Sequence, residues 1–256
     1  MTQNGTDFDL TGQIALVTAA TRGIGRACAL ALAGAGADVA VGARNREAGE
    51  SLAAEIRAMS RRAVCVKMDM TSLAQIREAI QEAHRHFGRL DILVNNAGIG
   101  VPGPAEEVEE KDFDDTVAVN LKATFFASQA AGRLMIAQGG GVIINIGSQA
   151  GFVALPTESV YCMTKAAVSH LTKCLALEWA AHHVRVNAVA PTFIATDGTR
   201  KWLGDEDFRR SVVRRIPLGR VGEPAEVARP VVFLASPAAS LITGVTLLID
   251  GGWTIQ

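Results

Sequence analysis

The run Ile14-Ala15-Leu16-Val17-Thr18-Ala19-Ala20-Thr21-Arg22-Gly23-Ile24-Gly25 decides how the rest of the chain is read. Residues 14–18 are apolar or β-branched with little alternation, which predicts a strand covered on both faces. The small residues that follow suit a tight strand-to-helix turn. In such a turn backbone N–H groups approach a pyrophosphate, and the helix N-terminus favours its charge. The Gly-x-Gly-x-x-Gly spacing is absent, and any α/β protein has a Gly-containing turn at this point. Alone, the turn says little about a ligand.

Working outward, runs of the same character recur at 39–41, 64–68, 92–94, 142–146, 184–189 and 245–249. Between them the spacing predicts helices over 24–35, 47–59, 73–87, 113–137, 161–179 and 225–234. Gly34, Gly36, Gly88, Gly139 and Gly141 stand where those helices would stop. Strands alternating with helices predict one α/β domain over 1–256, a doubly wound, Rossmann-like parallel sheet of seven strands with helices on both faces. Residues 192–220 break the rhythm after the sixth strand. Their charged, irregular sequence predicts short helices forming a lid over the ligand crevice. Its arginines would attract an acidic substrate, or simply solvate the wet face of a flap.

Composition narrows the function class. With 25 Lys+Arg against 26 Asp+Glu there is no global electrostatic case for a nucleic-acid partner, and 49% hydrophobic residues exclude a mostly disordered chain. The opening residues 1–13 lack a basic n-region and an apolar h-region, and no apolar run is long enough to span a bilayer. The four cysteines form no Cys-x-x-Cys motif or metal-like cluster. These features predict a cytoplasmic protein with reduced thiols and no membrane partner. His84 and His86, and His182 and His183, fall at helix ends, so no metal is assigned. The chain has one tyrosine, Tyr161, which is either an accident of composition or the one phenol the protein needs.

Two features point to chemistry. An acidic residue at the end of the second strand would bind an NAD ribose, but here Arg44-Asn45-Arg46 precede the first carboxylate, Glu47. Arg44 suits a 2′-phosphate and Arg22 would close on it from the first turn, so NADP(H) is favoured over NAD, unless both are solvated arginines. Tyr161 and Lys165 lie one helical turn apart on one face. A phenol titrates near ~10, and lowering it by about 3 units would take roughly 4 kcal/mol of differential stabilisation from a neighbouring ammonium. Ser148, Asn95-Asn96-Ala97-Gly98 and Asn120 sit near strand ends or inside an apolar helix. Each on its own suits a cap or turn equally well.

Taken together, Thr18–Gly25, Asn95–Gly98, Asn120, Ser148 and Tyr161-Cys162-Met163-Thr164-Lys165 resemble the short-chain dehydrogenase/reductase family, in its compact "classical" branch. The likeness runs from Leu10 to about Trp253 and includes Pro217-Leu218-Gly219-Arg220 and Asp250-Gly251-Gly252. It implies that Tyr161 is the catalytic acid/base and that Lys165 lowers its pKa and holds the nicotinamide ribose. Ser148 would orient the substrate oxygen, and Asn120 would hold a relay water leading from Lys165. The resemblance lays Ala20, Thr21, Arg22, Gly23 and Ile24 against the phosphates, with Arg44 at the 2′-phosphate. Asp69 and Met70 would meet the adenine; Asn96, Ala97 and Gly98 the adenosine ribose and floor; Ile194 and Thr196 the carboxamide and phosphates. Two departures are Ala19 for the family's first glycine and Thr192 after Pro191 for its second. A methyl at 19 is harmless at negative φ and costly in the left-handed region.

The implied function is NADP(H)-dependent interconversion of a secondary alcohol and a ketone by a homotetramer. The lid and tail are most similar to sugar-acid and polyol dehydrogenases related to gluconate 5-dehydrogenase. A 3-oxoacyl carrier-protein reductase is the alternative, and a non-catalytic NADPH sensor a third. Gln149, Phe152, Val153, Leu155, Ser159, Thr192, Phe193 and Trp202 are candidates for lining the pocket.

Overall fold

The computed structural model describes residues 7–255; part of the opening stretch, residues 1–6, lies outside them, as does Gln256. Strands β1 (Ile14–Val17), β2 (Asp38–Ala43), β3 (Ala63–Lys67), β4 (Ile92–Asn95), β5 (Gly141–Ile146), β6 (Val184–Pro191) and β7 (Thr246–Ile249) form one sheet. All pair in parallel in the order β3-β2-β1-β4-β5-β6-β7, the doubly wound sheet expected. The order reverses between β1 and β4, so their carboxyl ends open a crevice where ligands of such sheets bind.

Alternation along each strand feeds two cores. Ala15, Val17, Val39, Val41, Val94 and Ile144 face α1 (Gly23–Gly34), α2 (Arg46–Ala58) and a C-terminal helix at Pro224–Ala235. Ile14, Leu16, Ala40, Leu93, Ile143 and Val186 face the other way, toward α3 (Leu73–Phe87) and the long helices after β4 and β5. The central strands are therefore mostly apolar along their length, and both faces of the sheet's middle are covered.

The helix expected over 113–137 is broken into three. α4 (Glu110–Val117) passes into a π-helical turn at Ala118–Lys122, and α5 (Ala123–Gln138) follows. The turn closes with the Ala123 N–H on the Ala118 carbonyl, five residues back, which adds one residue to the circuit. A tertiary anchor accounts for it. Asn120 is buried and clamps Ile99 through both backbone groups, its Oδ1 accepting from the amide and its Nδ2 donating to the carbonyl, each at 2.8 Å.

α6 spans Ser159–Trp179, and beyond β6 come two short helices, α7 (Arg200–Leu203) and α8 (Glu206–Val213), before α9 (Pro224–Ala235). Val212 and Ile216 pack on Trp253 in a third, smaller cluster with Val153, Leu155, Phe193 and Val221. Asp250 fixes that tail. Its carboxylate accepts from the Gly252 and Thr254 amides and the Thr254 hydroxyl, which folds the chain back so that Trp253 stacks on Phe193 at 5.8 Å.

Candidate active site

The turn after β1 is held from beside it. Thr18 Oγ1 accepts from the Asn96 and Ala97 amides, and Asn96 Nδ2 donates to the Thr18 and Ala19 carbonyls at 3.0 and 3.1 Å. A Cβ at Gly25 would lie 2.4 Å from Asn96 Nδ2 and 2.6 Å from the Ala19 oxygen, so only glycine fits. Ala19 has φ 49°, in the left-handed region, so the methyl that replaces glycine here is the costly case. Ala20 is buried and donates to Gly42, which directs its N–H into the sheet.

Arg22, exposed, is the N-cap of α1, and no side chain caps the helix. The first-turn N–H groups at Gly23 and Ile24 face the crevice mouth uncovered, which fits a phosphate. Thr21 precedes Arg22, and Thr196 overhangs the turn, 3.4 Å from where a Cβ of Gly23 would stand. Ile194 is buried below it, bridging to Gly222.

Arg44 follows β2 directly and is exposed, and neither it nor Arg22 is in an ion pair among the described residues. Two hydrogen bonds from Thr71, backbone and side-chain, hold the Asp69 carboxyl below the usual carboxylate range, and Arg44 adds to the effect. Met70 beside it is buried.

Across the crevice, Ser148 follows β5 and caps a short 3₁₀ turn, Gln149–Gly151. Its Oγ accepts from the Ala150 amide and donates to Gln149 Oε1 at 2.9 Å. Tyr161 lies in the first turn of α6, half-buried, with Lys165 one turn on. Lys165 is buried; its Nζ donates to the Ile146 carbonyl at 2.9 Å and sits 5.6 Å from the centroid of the Tyr161 ring.

Burial sets both pKa values. It pushes the phenol up to about 12, against a downward pull from Ser148 and with a further push from Glu158 and Cys162. It draws the ammonium down to about 8. In this geometry the phenol stands above its ordinary value, with burial the leading cause. The ammonium is bound to a carbonyl and lies over the ring, and desolvation is the largest influence on either group.

Asn120 Nδ2 also donates to Thr164 Oγ1 at 3.0 Å, so both its hydrogens are committed to structure. Its Oδ1 and Lys165 Nζ converge on Gly98, where a Cβ would stand 3.6 and 3.2 Å from them. A buried relay, Ser128–Asn95–Asn145–Thr172, ties α5 through β4 and β5 to α6 and fixes that helix from behind.

A cavity of about 360 Å³ opens at Glu158, the residue before α6 and three before Tyr161. Of the residues expected to line it, Leu155, Phe193 and Trp202 do, whereas Gln149, Phe152, Val153, Ser159 and Thr192 do not. Gln149 is buried against Ser148, Val153 packs into the Trp253 cluster, and the Thr192 hydroxyl is buried without a partner among the described residues. Sequence reasoning missed Glu158, Phe208, Arg215 and Trp253. The Asp250-Gly251-Gly252 tail was the available signal for Trp253; nothing marked the others. Among the described residues no group of three or more His, Cys, Asp or Glu is placed to hold a metal ion.

A family model described as enoyl-(acyl carrier protein) reductase matches residues 18–254. The chain is 43% identical over 254 residues to a D-threitol dehydrogenase of Mycolicibacterium smegmatis, spanning 98% of this chain and 96% of that protein. It is 41% identical to an NAD-dependent glycerol dehydrogenase of Listeria innocua, spanning 98% and 97%. Among solved structures, a gluconate 5-dehydrogenase of Burkholderia cenocepacia in complex with NADP and tartrate superimposes with a TM-score of 0.94. It has 39% identity and covers 98% of each chain.

Proposed function

The chain belongs to the short-chain dehydrogenase/reductase family, and from that premise we propose that it is an NADP(H)-dependent oxidoreductase interconverting a secondary alcohol and a ketone of a polyol or sugar acid. The observation that carries the reading is the convergence of Ser148, Tyr161 and Lys165 at the carboxyl end of β5, across the crevice from the uncapped start of α1. Relatives of about 40% identity are named as polyol and sugar-acid dehydrogenases, which supports the substrate class.

The residues present fit the dinucleotide. Gly23, Ile24 and Thr196 would hold its phosphates, Arg22 and Arg44 a 2′-phosphate, Asp69 and Met70 the adenine, and Lys165 the nicotinamide ribose. Asn96, Ala97 and Gly98 would form the floor, and Ile194 would meet the carboxamide. When bound, the nicotinamide supplies or accepts the hydride. In the direction of reduction, Tyr161 holds the proton that passes from its phenol oxygen to the carbonyl oxygen, while Ser148, its hydroxyl turned from Gln149 Oε1 to the substrate, orients that oxygen by donating to it. Lys165, mostly protonated at neutral pH, supports the charge left on the phenol, and the stretch 192–220 closes over the substrate as a lid.

A cytoplasmic homotetramer completes the reading. No helix among the described residues is long and apolar enough to cross a membrane, and the exposed Phe125 and Leu177 on α5 and α6 suit a subunit interface. The decisive experiment is a panel of keto sugars, keto sugar acids and 3-oxoacyl thioesters followed by NADPH absorbance. Turnover of the first two groups is expected; activity on the thioesters alone would overturn the assignment.

A further inference from the structure

Glu158 stands in an unusual position. It is the residue before α6, three before Tyr161, half-buried, and it lines the cavity of about 360 Å³. A Cβ placed on Gly100 would lie 3.2 Å from Tyr161 Cδ2 and 3.3 Å from Glu158 Oε2, so the carboxylate and the phenol ring flank the same strip of backbone. No hydrogen bond or ion pair within the protein satisfies this carboxylate among the described residues, and burial raises its pKa. A half-buried acceptor with no internal donor is left to take its hydrogen bond from water or from a ligand hydroxyl that displaces it.

Four aromatic rings share the rest of the lining with Leu155, Val212 and the hydroxyl residues Thr157 and Ser211. Phe193 meets Phe208 edge-on at 5.9 Å and stacks on Trp253 at 5.8 Å, with Trp202 alongside. Arg215 also lines it, its guanidinium 5.7 Å from the Trp253 ring centroid. Ring faces for C–H groups, and a carboxylate acceptor flanking the same backbone as the Tyr161 ring, together suit a carbon chain that carries hydroxyls.

We propose that Glu158 is a specificity-determining residue, accepting a hydrogen bond from a substrate hydroxyl away from the reacting carbon and so selecting polyhydroxylated alcohols over simple aliphatic ones. This rests on the oxidoreductase reading above and adds to it the group that reads the substrate. Glu158 also pushes the Tyr161 phenol up, but that influence acts alike on every alcohol and cancels in a ratio of substrates.

The test compares D-threitol with butan-2-ol, which share a four-carbon skeleton and differ in the hydroxyls. Wild-type protein is expected to favour D-threitol in kcat/KM. Glu158→Leu should lower the D-threitol to butan-2-ol ratio by about 10- to 100-fold, the scale of one hydrogen bond to a charged acceptor. Glu158→Gln, which keeps a carbonyl acceptor, should fall in between and keeps the test open if the leucine variant fails to fold. A ratio that stays constant in both variants overturns the proposal while leaving the oxidoreductase reading intact. Wild-type protein inactive on polyols, sugar acids and their ketones with either nicotinamide cofactor overturns both.

Discussion

Lys165 Nζ donates to the carbonyl of Ile146, the last residue of β5, and so fastens α6 to the strand that delivers Ser148. One buried ammonium thus fixes the spacing of the two groups expected to touch the substrate oxygen. Lys165→Met should lower kcat by about 10²- to 10⁴-fold, the range of general acid–base assistance, with dinucleotide affinity reduced as well. Retention of full turnover would detach Lys165 from the chemistry.

Tyr161→Phe separates the proton from the scaffold. The substitution deletes one hydroxyl at a site whose shape is set by other groups, so NADPH binding measured by fluorescence or calorimetry should persist. Turnover should drop by about 10²-fold or more. Substantial residual turnover would remove the phenol from its role.

The pH dependence has a definite sign for each group. Lys165 has a folded pKa of about 8 against an ordinary 10.5, so the unfolded chain binds more protons between those values and stability rises with pH there. Tyr161 has a folded pKa of about 12 against an ordinary 10, so its contribution falls as pH rises through that interval. Since the chain has one tyrosine, ultraviolet titration reports it alone. Free protein at pH 10 should show little tyrosinate absorbance, and Ser148→Ala should delay ionisation further. Half-ionisation at pH 10 would contradict the burial argument.

Ala19 offers a gain in stability. A non-glycine residue in the left-handed region costs roughly 1–2 kcal/mol, part of which glycine returns as greater freedom of the unfolded chain. Ala19→Gly should therefore stabilise by about 1 kcal/mol, a rise of about 2–4 °C in melting temperature for a domain of this size. An unchanged or lower melting temperature would mean that the neighbouring Asn96 clamp absorbs the strain.

Arg44 should set cofactor preference. It is exposed, lies directly after β2 and is in no ion pair among the described residues. Arg44→Asp is expected to shift the NADPH to NADH ratio of kcat/KM toward NADH by about 10- to 100-fold, the loss of a charge-assisted contact plus repulsion of the 2′-phosphate. A wild-type preference for NADH would remove the basis of this assignment.

The sheet was legible because apolar, β-branched runs such as 142–146 have one meaning when helices alternate with them. The Tyr161–Lys165 pair was legible because its spacing follows from helix geometry. The break at Ala118–Lys122 was not, because it answers to Ile99 and Thr164, contacts remote in sequence that no local periodicity encodes. Nor was Glu158 as a lining residue, since a charged residue before a helix has an ordinary solvated explanation. The pocket walls came from the tail and the region after β6, where Trp253 and Phe208 gain meaning only once Asp250 has folded the chain end back.

The π-helical turn has an evolutionary corollary. Deleting one residue within 118–122 would restore a regular helix and leave every codon downstream in frame, so the change looks mild on paper. Because the wide turn absorbs its extra residue, α4 and α5 would stay nearly in phase, yet the groups inside the turn would shift, carrying Asn120 off Ile99 and Thr164 at one stroke. In this stretch residue number is inherited as strictly as residue identity, and natural length variation should skirt it even where substitutions are tolerated.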